Sequence, residues 1–147
     1  MKHITSTMPG LRIEITDRSD DVLKALKNAI ERGLEGIGMS AQEHATQIIT
    51  AAGAVDTGRL KNSITFALAG KSANAATYKD DNGKMFSYSG TAPGKGDTVY
   101  IGTNVEYAQG IETGTHRKSG GVHFLSRAAS DYRTEYRDII KDSLENA

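Results

Sequence analysis

The sequence predicts an α+β fold, with a mostly antiparallel sheet of four to five strands packed by a long N-terminal helix and a C-terminal helix. Three observations carry this. Apolar residues recur at helical spacing over residues 19–52, short alternating segments cluster in the middle of the chain, and a second helical pattern covers residues 124–145. Strands bunched between flanking helices pack as a sheet with the helices on one face.

Each element has its own pattern. Residues 11–16, LRIEIT, alternate apolar and polar side chains, so Leu11, Ile13 and Ile15 share a face of a short strand. Residues 1–10 before it are expected to be flexible. Asp17 to Asp20 supply helix-capping side chains. Val22, Leu26, Ile30, Gly33, Ile37, Ala41, Ala45, Ile48 and Ala52 then form one stripe, with charged residues opposite. A helix of that length is unusual against a mean of about 11–12 residues. Gly33, Gly36 and Gly38 weaken its middle by roughly 0.8–1 kcal/mol each relative to Ala. The favoured reading is one long bent helix pressed closely against a neighbour there; the alternative is a break into two. Gly53 suits the C-terminal cap.

Asp56 or Thr57 can cap a short helical turn over residues 58–62. Residues 63–69 alternate again, with Ile64, Phe66 and Leu68 on one side of a strand. Residues 70–96 read as an insertion: a polar loop, a β-hairpin around Asp80-Asp81-Asn82-Gly83, and a flexible loop SGTAPGKG. Val99 and Ile101 mark the next strand, over residues 97–103. A short helix over residues 105–113 ends at Gly114, and residues 115–121 form an exposed basic loop. Leu125, Ala128, Tyr132, Tyr136, Ile139 and Ser143 make the inner stripe of the last helix. The 147 residues suit a single α+β domain spanning 1–147.

Composition narrows the function. A hydrophobic content of 37% with 6% aromatic residues gives a lean core. Such a core suits a subunit that gains stability by docking, and suits an ordinary small domain nearly as well. Eighteen Lys and Arg balance eighteen Asp and Glu, so no global field draws the chain to nucleic acid or an anionic membrane. The lack of cysteine excludes disulfides, thiolate metal sites and cysteine nucleophiles. Neither a signal peptide nor a membrane span is expected, which points to host cytoplasm during assembly.

The sharpest enzymatic motif is Ala54-Val55-Asp56-Thr57-Gly58, which resembles the active-site loop of aspartic proteases. Two such aspartates share a proton and activate a water, so a one-motif chain would have to act as a homodimer through Asp56. Arg59 argues against this, because a cation beside the carboxylate lowers its pKa and disfavours the shared proton. A helix, not a strand, leads into the motif. In the structural alternative, Asp56 and Thr57 cap a turn, Gly58 relaxes it, and Asp56 can pair with Arg59. The four histidines, His3, His44, His116 and His123, lack metal-ligand spacing, and His44 is better read as packing. Asp80-Asp81-Asn82-Gly83 lacks the later acidic ligand of a calcium loop. Gly94-Lys95-Gly96 lacks the spacing of a phosphate-binding loop. No metal or cofactor is therefore assigned. His116, Arg117 and Lys118 form the one dense basic run, able to meet DNA or an acidic partner.

Two segments read together suggest a family. VDTGRLKNSI (residues 55–64) follows the long helix; VYIGTNVEYA (residues 99–108) comes some forty residues later, with IETGT directly after it and Phe124-Leu125 opening the last helix. In order and spacing this resembles the tail-component family of long-tailed bacteriophages and prophages: neck, head–tail joining and tail-completion proteins. The resemblance covers residues 22–144. It implies a virion structural subunit that forms a homo-oligomeric ring, expected to be sixfold, beside neighbouring connector and tail proteins. It implies no catalysis, cofactor or membrane. By position, Asp56, Thr57, Gly58, Arg59 and Leu60 shape a structural corner. Tyr107 and Gly114 set the short helix and its exit. Gly114, Thr115, His116, Arg117 and Lys118 form a candidate assembly loop that can touch genomic DNA in the channel, and Tyr107 and Phe124 are candidate interface residues. The chain departs from the family at Gly110-Ile111, where an aromatic is expected, at Val122-His123, where a proline is usual, and in a long segment over residues 78–96. A third reading is a small regulatory protein-binding module of the toxin–antitoxin kind.

Overall fold

β1 (Lys2–Met8) and β2 (Leu11–Asp17) pair antiparallel at the start of the chain, with Met8 opposite Leu11 and Gly10 in the intervening turn at φ 78°. The computed structural model describes residues 2–8, 10–54, 58–75, 77–114 and 120–147. Residues 2–8 are thus strand, where the sequence suggested no regular structure. Its apolar positions, Ile4 and Met8, are too sparse to signal a strand without the partner β2.

β2 leads straight into α1 (Ser19–Ala51), an unbroken helix of 33 residues. It ends in a Schellman closure: Gly53 N–H donates to Thr50 O and Ala54 N–H to Ile49 O, with Gly53 at φ 68°. The three glycines are points of close approach. A Cβ on Gly33 would lie 2.4 Å from Ile140 Cδ1, and one on Gly38 would lie 2.3 Å from the Phe66 ring. The helix cost of those glycines is offset by packing that no larger residue permits.

The first part of the predicted stripe does not enter the core. Val22 is 56% exposed and Leu26 40%. The helix that covers α1, α5 (Arg133–Glu145), runs antiparallel to it and reaches only as far as Ala29, whose carbonyl accepts from Ser143 Oγ. Beyond Ala29 the partner helix has run out.

The C-terminal helix is two helices, α4 (Phe124–Ser130) and α5. Tyr132, at the break with φ −118°, stacks its ring on His44 at 3.5 Å between centroids, while Tyr136 donates its hydroxyl to Ala128 O. Tertiary contacts thus win over continuity.

β3 (Thr65–Leu68) pairs antiparallel with β6 (Val99–Gly102), and β4 (Thr77–Lys79) with β5 (Met85–Ser87). Among the described residues strands join only in twos, so the expected sheet of four to five strands is divided. The free edge of β3 explains part of this. Asn74 closes it at Phe66, accepting through Oδ1 from Phe66 N–H and donating its own N–H to Phe66 O, while Gln42 Nε2 donates to Ile64 O. The β4–β5 hairpin is held instead by α2 (Arg59–Asn62), where Asn62 Nδ2 donates to Lys79 O at 2.8 Å. Its turn forms as expected, with Asp80 Oδ1 accepting from the N–H groups of Asn82 and Lys84. α3 (Ala108–Thr113) completes the elements. The core gathers Ile48, Ile49, Leu60, Ile64, Val105, Ala108, Phe124 and Ala128 between α1, the β3–β6 pair and α4.

Candidate functional site

The two motif segments meet in space. Gly58 opens α2 at φ 77°, and a side chain there would strike the Asp81 carboxylate, 2.1 Å from a Cβ. Leu60, one turn on, is 3% exposed and anchors the corner in the core. Arg59 turns outward and takes Glu106 in a fork, Nη1 to Oε1 at 2.9 Å and Nη2 to Oε2 at 3.0 Å. Its guanidinium also lies 4.3 Å from the Phe86 ring centroid and 5.9 Å from that of Tyr107. The Glu106 hydrogen bonds hold Arg59 more firmly protonated. Glu106's own backbone N–H, then Arg59, hold its carboxyl below the usual range. Below them Ser63 Oγ and Thr103 Oγ1 are 2.5 Å apart, and Thr103 Oγ1 accepts from Val105 N–H. Asp56 and Thr57 lie outside the described residues, so the pairing expected between Asp56 and Arg59 falls there too.

The base of the basic loop is pinned. Val122 N–H donates to Ile111 O at 2.8 Å and His123 N–H to Glu112 O at 3.1 Å. The Glu112 carboxylate accepts from the N–H groups of Leu125 and Ser126 and from Ser126 Oγ, which caps α4 from thirteen residues away. Burial opposes ionisation of Glu112, but these donors outweigh it and hold the carboxyl below its usual range. Gly121 rests against Glu112 O, where a Cβ would approach to 2.0 Å. Gly114 ends α3 at φ 91°, as the chain turns toward the loop. Thr115, His116, Arg117 and Lys118 lie outside the described residues.

Of the two candidate interface residues, Tyr107 is 41% exposed beside Arg59, whereas Phe124 is 0% exposed and belongs to the subunit's own core. As the first residue of α4 it turns inward onto the α1 residues, so it offers no surface to a partner.

Two features went unread in the sequence. One is a clasp between α1 and α5: Ser40 Oγ donates to Glu135 Oε1 and His44 Nε2 meets Glu135 Oε2, both at 2.6 Å. Ser40, then His44, hold the Glu135 carboxyl below its usual range. The clasp matches the packing role expected for His44. The other is an apolar groove of about 620 Å³ along the exposed start of α1, lined by Leu23, Leu26, Ile30, Leu34 and Leu68 and rimmed by the Lys71–Glu31 ion pair. Its signal was present in the stripe but pointed to the core. Among the described residues no group of His, Asp and Glu is placed to hold a metal ion, and no helix is long and apolar enough to cross a membrane. No protein-family model matches the chain, and no curated protein or solved structure matches it.

Proposed function

We propose that this chain is a structural subunit of a bacteriophage or prophage neck or tail, acting without catalysis as part of a ring that joins head to tail or completes the tail. The observation that carries the reading is the paired corner. Residues 55–64 and 99–108 have the order and spacing of the resembled family, and the Arg59–Glu106 and Ser63–Thr103 contacts join them into one rigid unit. The exposed apolar start of α1 gives such a subunit something to bury on assembly. On this reading the pinned stem over residues 111–114 and 120–123 presents Arg117 and Lys118 to DNA or to an adjoining ring. The mechanism is geometric, with copies docking side by side through a heterologous contact whose rotation closes.

The test is imaging of the purified full chain by negative-stain electron microscopy, with virion titre measured in a phage background carrying Arg117→Glu and Lys118→Glu. Rings from the native chain, together with a reduced titre from a variant that still folds, support the proposal. Normal titre with no ring at any concentration overturns it. Asp56→Asn separates the protease alternative: loss of a proteolytic activity with assembly intact would replace the structural reading.

A further inference from the structure

The β1–β2 hairpin has two unlike faces by register. Ile4 stands opposite Ile15, Ser6 opposite Ile13 and Met8 opposite Leu11, while Thr5 stands opposite Glu14 and Thr7 opposite Arg12. Directly opposed residues share a face and successive ones alternate. The first set is apolar apart from Ser6, and the second is polar. A two-stranded hairpin is marginal alone in water and needs its apolar face packed. Yet among the described residues no other element packs substantially on this one.

The same chain carries an unfilled receptor. The groove on α1 exposes Leu23 at 64% and Leu26 at 40%. It follows the helix over residues 23–34, about 17 Å at 1.5 Å per residue. The hairpin's seven-residue strands extend about 23 Å. Length and polarity therefore match.

The hairpin is poorly placed to fill its own groove. Arg18 alone separates β2 from α1, and the Asp17 carboxylate accepts from Ser19 N–H and hydroxyl across that joint. The groove opens only about 6 Å into the helix. Folding the hairpin back over it takes a reversal that commonly needs two or more connecting residues, and it would break the Asp17 cap.

We propose that the hairpin of one copy seats its apolar face in the α1 groove of a second copy, a head-to-tail contact between unlike surfaces of identical chains. The contact stands on its own, whether or not the chain is part of a phage particle. A heterologous contact of this kind leaves one arm and one groove open at the ends until a ring closes.

The full chain is tested by light scattering coupled to gel filtration across a concentration series. Ile13→Asp disables the arm and Leu23→Asp the groove, and circular dichroism checks that both fold. Each variant alone should run as a monomer. Their equimolar mixture should give a dimer and nothing larger, because it keeps one working arm and one working groove per pair. As the native chain has no cysteine, Ser6→Cys and Leu23→Cys chains mixed under mild oxidation should crosslink between molecules. A wild-type monomer at every concentration, or a mixture that stays monomeric, overturns the proposal. So does a Ser6→Cys/Leu23→Cys double variant that closes its disulfide within one chain at high dilution.

Discussion

Arg59 holds Glu106 through two parallel hydrogen bonds while its guanidinium lies over the Phe86 ring. One side chain therefore links α2, the turn before α3, and the β4–β5 hairpin. Glu106 keeps its charge at neutral pH, since its own backbone N–H and then Arg59 lower its pKa.

Arg59→Lys should lower the melting temperature more than Glu106→Gln does. Lysine loses both the fork and the flat face over Phe86, whereas glutamine still accepts one of the two bonds. Raising sodium chloride to about 1 M, where the Debye length is about 3 Å, should shrink the Glu106→Gln effect and leave most of the Arg59→Lys effect. Thermal melts at both salt levels decide it; equal losses for the two variants would remove the stacking contribution.

Glu112 gives a pH prediction with a definite sign. Its folded pKa is depressed, so its contribution is complete above the unfolded value of about 4.3 and is lost as pH falls through the folded value. Glu112→Ala removes the cap of α4 and should cost about 1 kcal/mol, or roughly 2–4 °C in a protein of this size. Glu112→Gln should flatten the acid limb of melting temperature against pH. An unchanged acid limb would mean that the carboxylate does not hold α4.

Much of the fold was readable because it is local. The period of α1, the Asp80–Gly83 turn, the alternation of β3 and the Gly53 closure each lie within a few residues of their cause. What the sequence hid depends on distant partners. Arg59 finds Glu106 forty-seven residues away, and nothing nearby in the chain favours it over Asp56. The break before α5 comes from Tyr132 meeting His44, although the stripe itself runs through. Val22 and Leu26 keep helical spacing, yet α5 ends before it can cover them. The corner was legible at Gly58 and Leu60, while the capping role of Glu112 required knowing where α4 begins.

Phe124 and Tyr107 should separate folding from assembly. Phe124 is fully buried, so Phe124→Ala should cost about 3–5 kcal/mol, a large share of a typical 5–15 kcal/mol. Tyr107 is 41% exposed, and Tyr107→Ala should cost well under half as much in a urea titration. If Tyr107 lies at a contact between copies, the variant will fold and associate more weakly in gel filtration. A folding loss at Tyr107 equal to that at Phe124 would assign it to the core instead.

Gly38 should be the least replaceable glycine of α1. Alanine normally gains about 0.8–1 kcal/mol over glycine inside a helix. At Gly38 the added methyl would lie 2.3 Å from Phe66 Cδ2 and 2.6 Å from Cγ, and that ring, only 8% exposed in β3, has little room to turn away. Overpacking of this kind costs about 1–3 kcal/mol, so Gly38→Ala should be destabilising on balance. At Gly33 the nearest atom is Ile140 Cδ1, the end of a flexible side chain on α5 that can rotate. Gly33→Ala should therefore lie closer to neutral. Urea midpoints of the two variants rank them. A Gly38→Ala chain at least as stable as the native one would show that Phe66 can move aside, and that the glycine serves another purpose than the approach of β3 to α1.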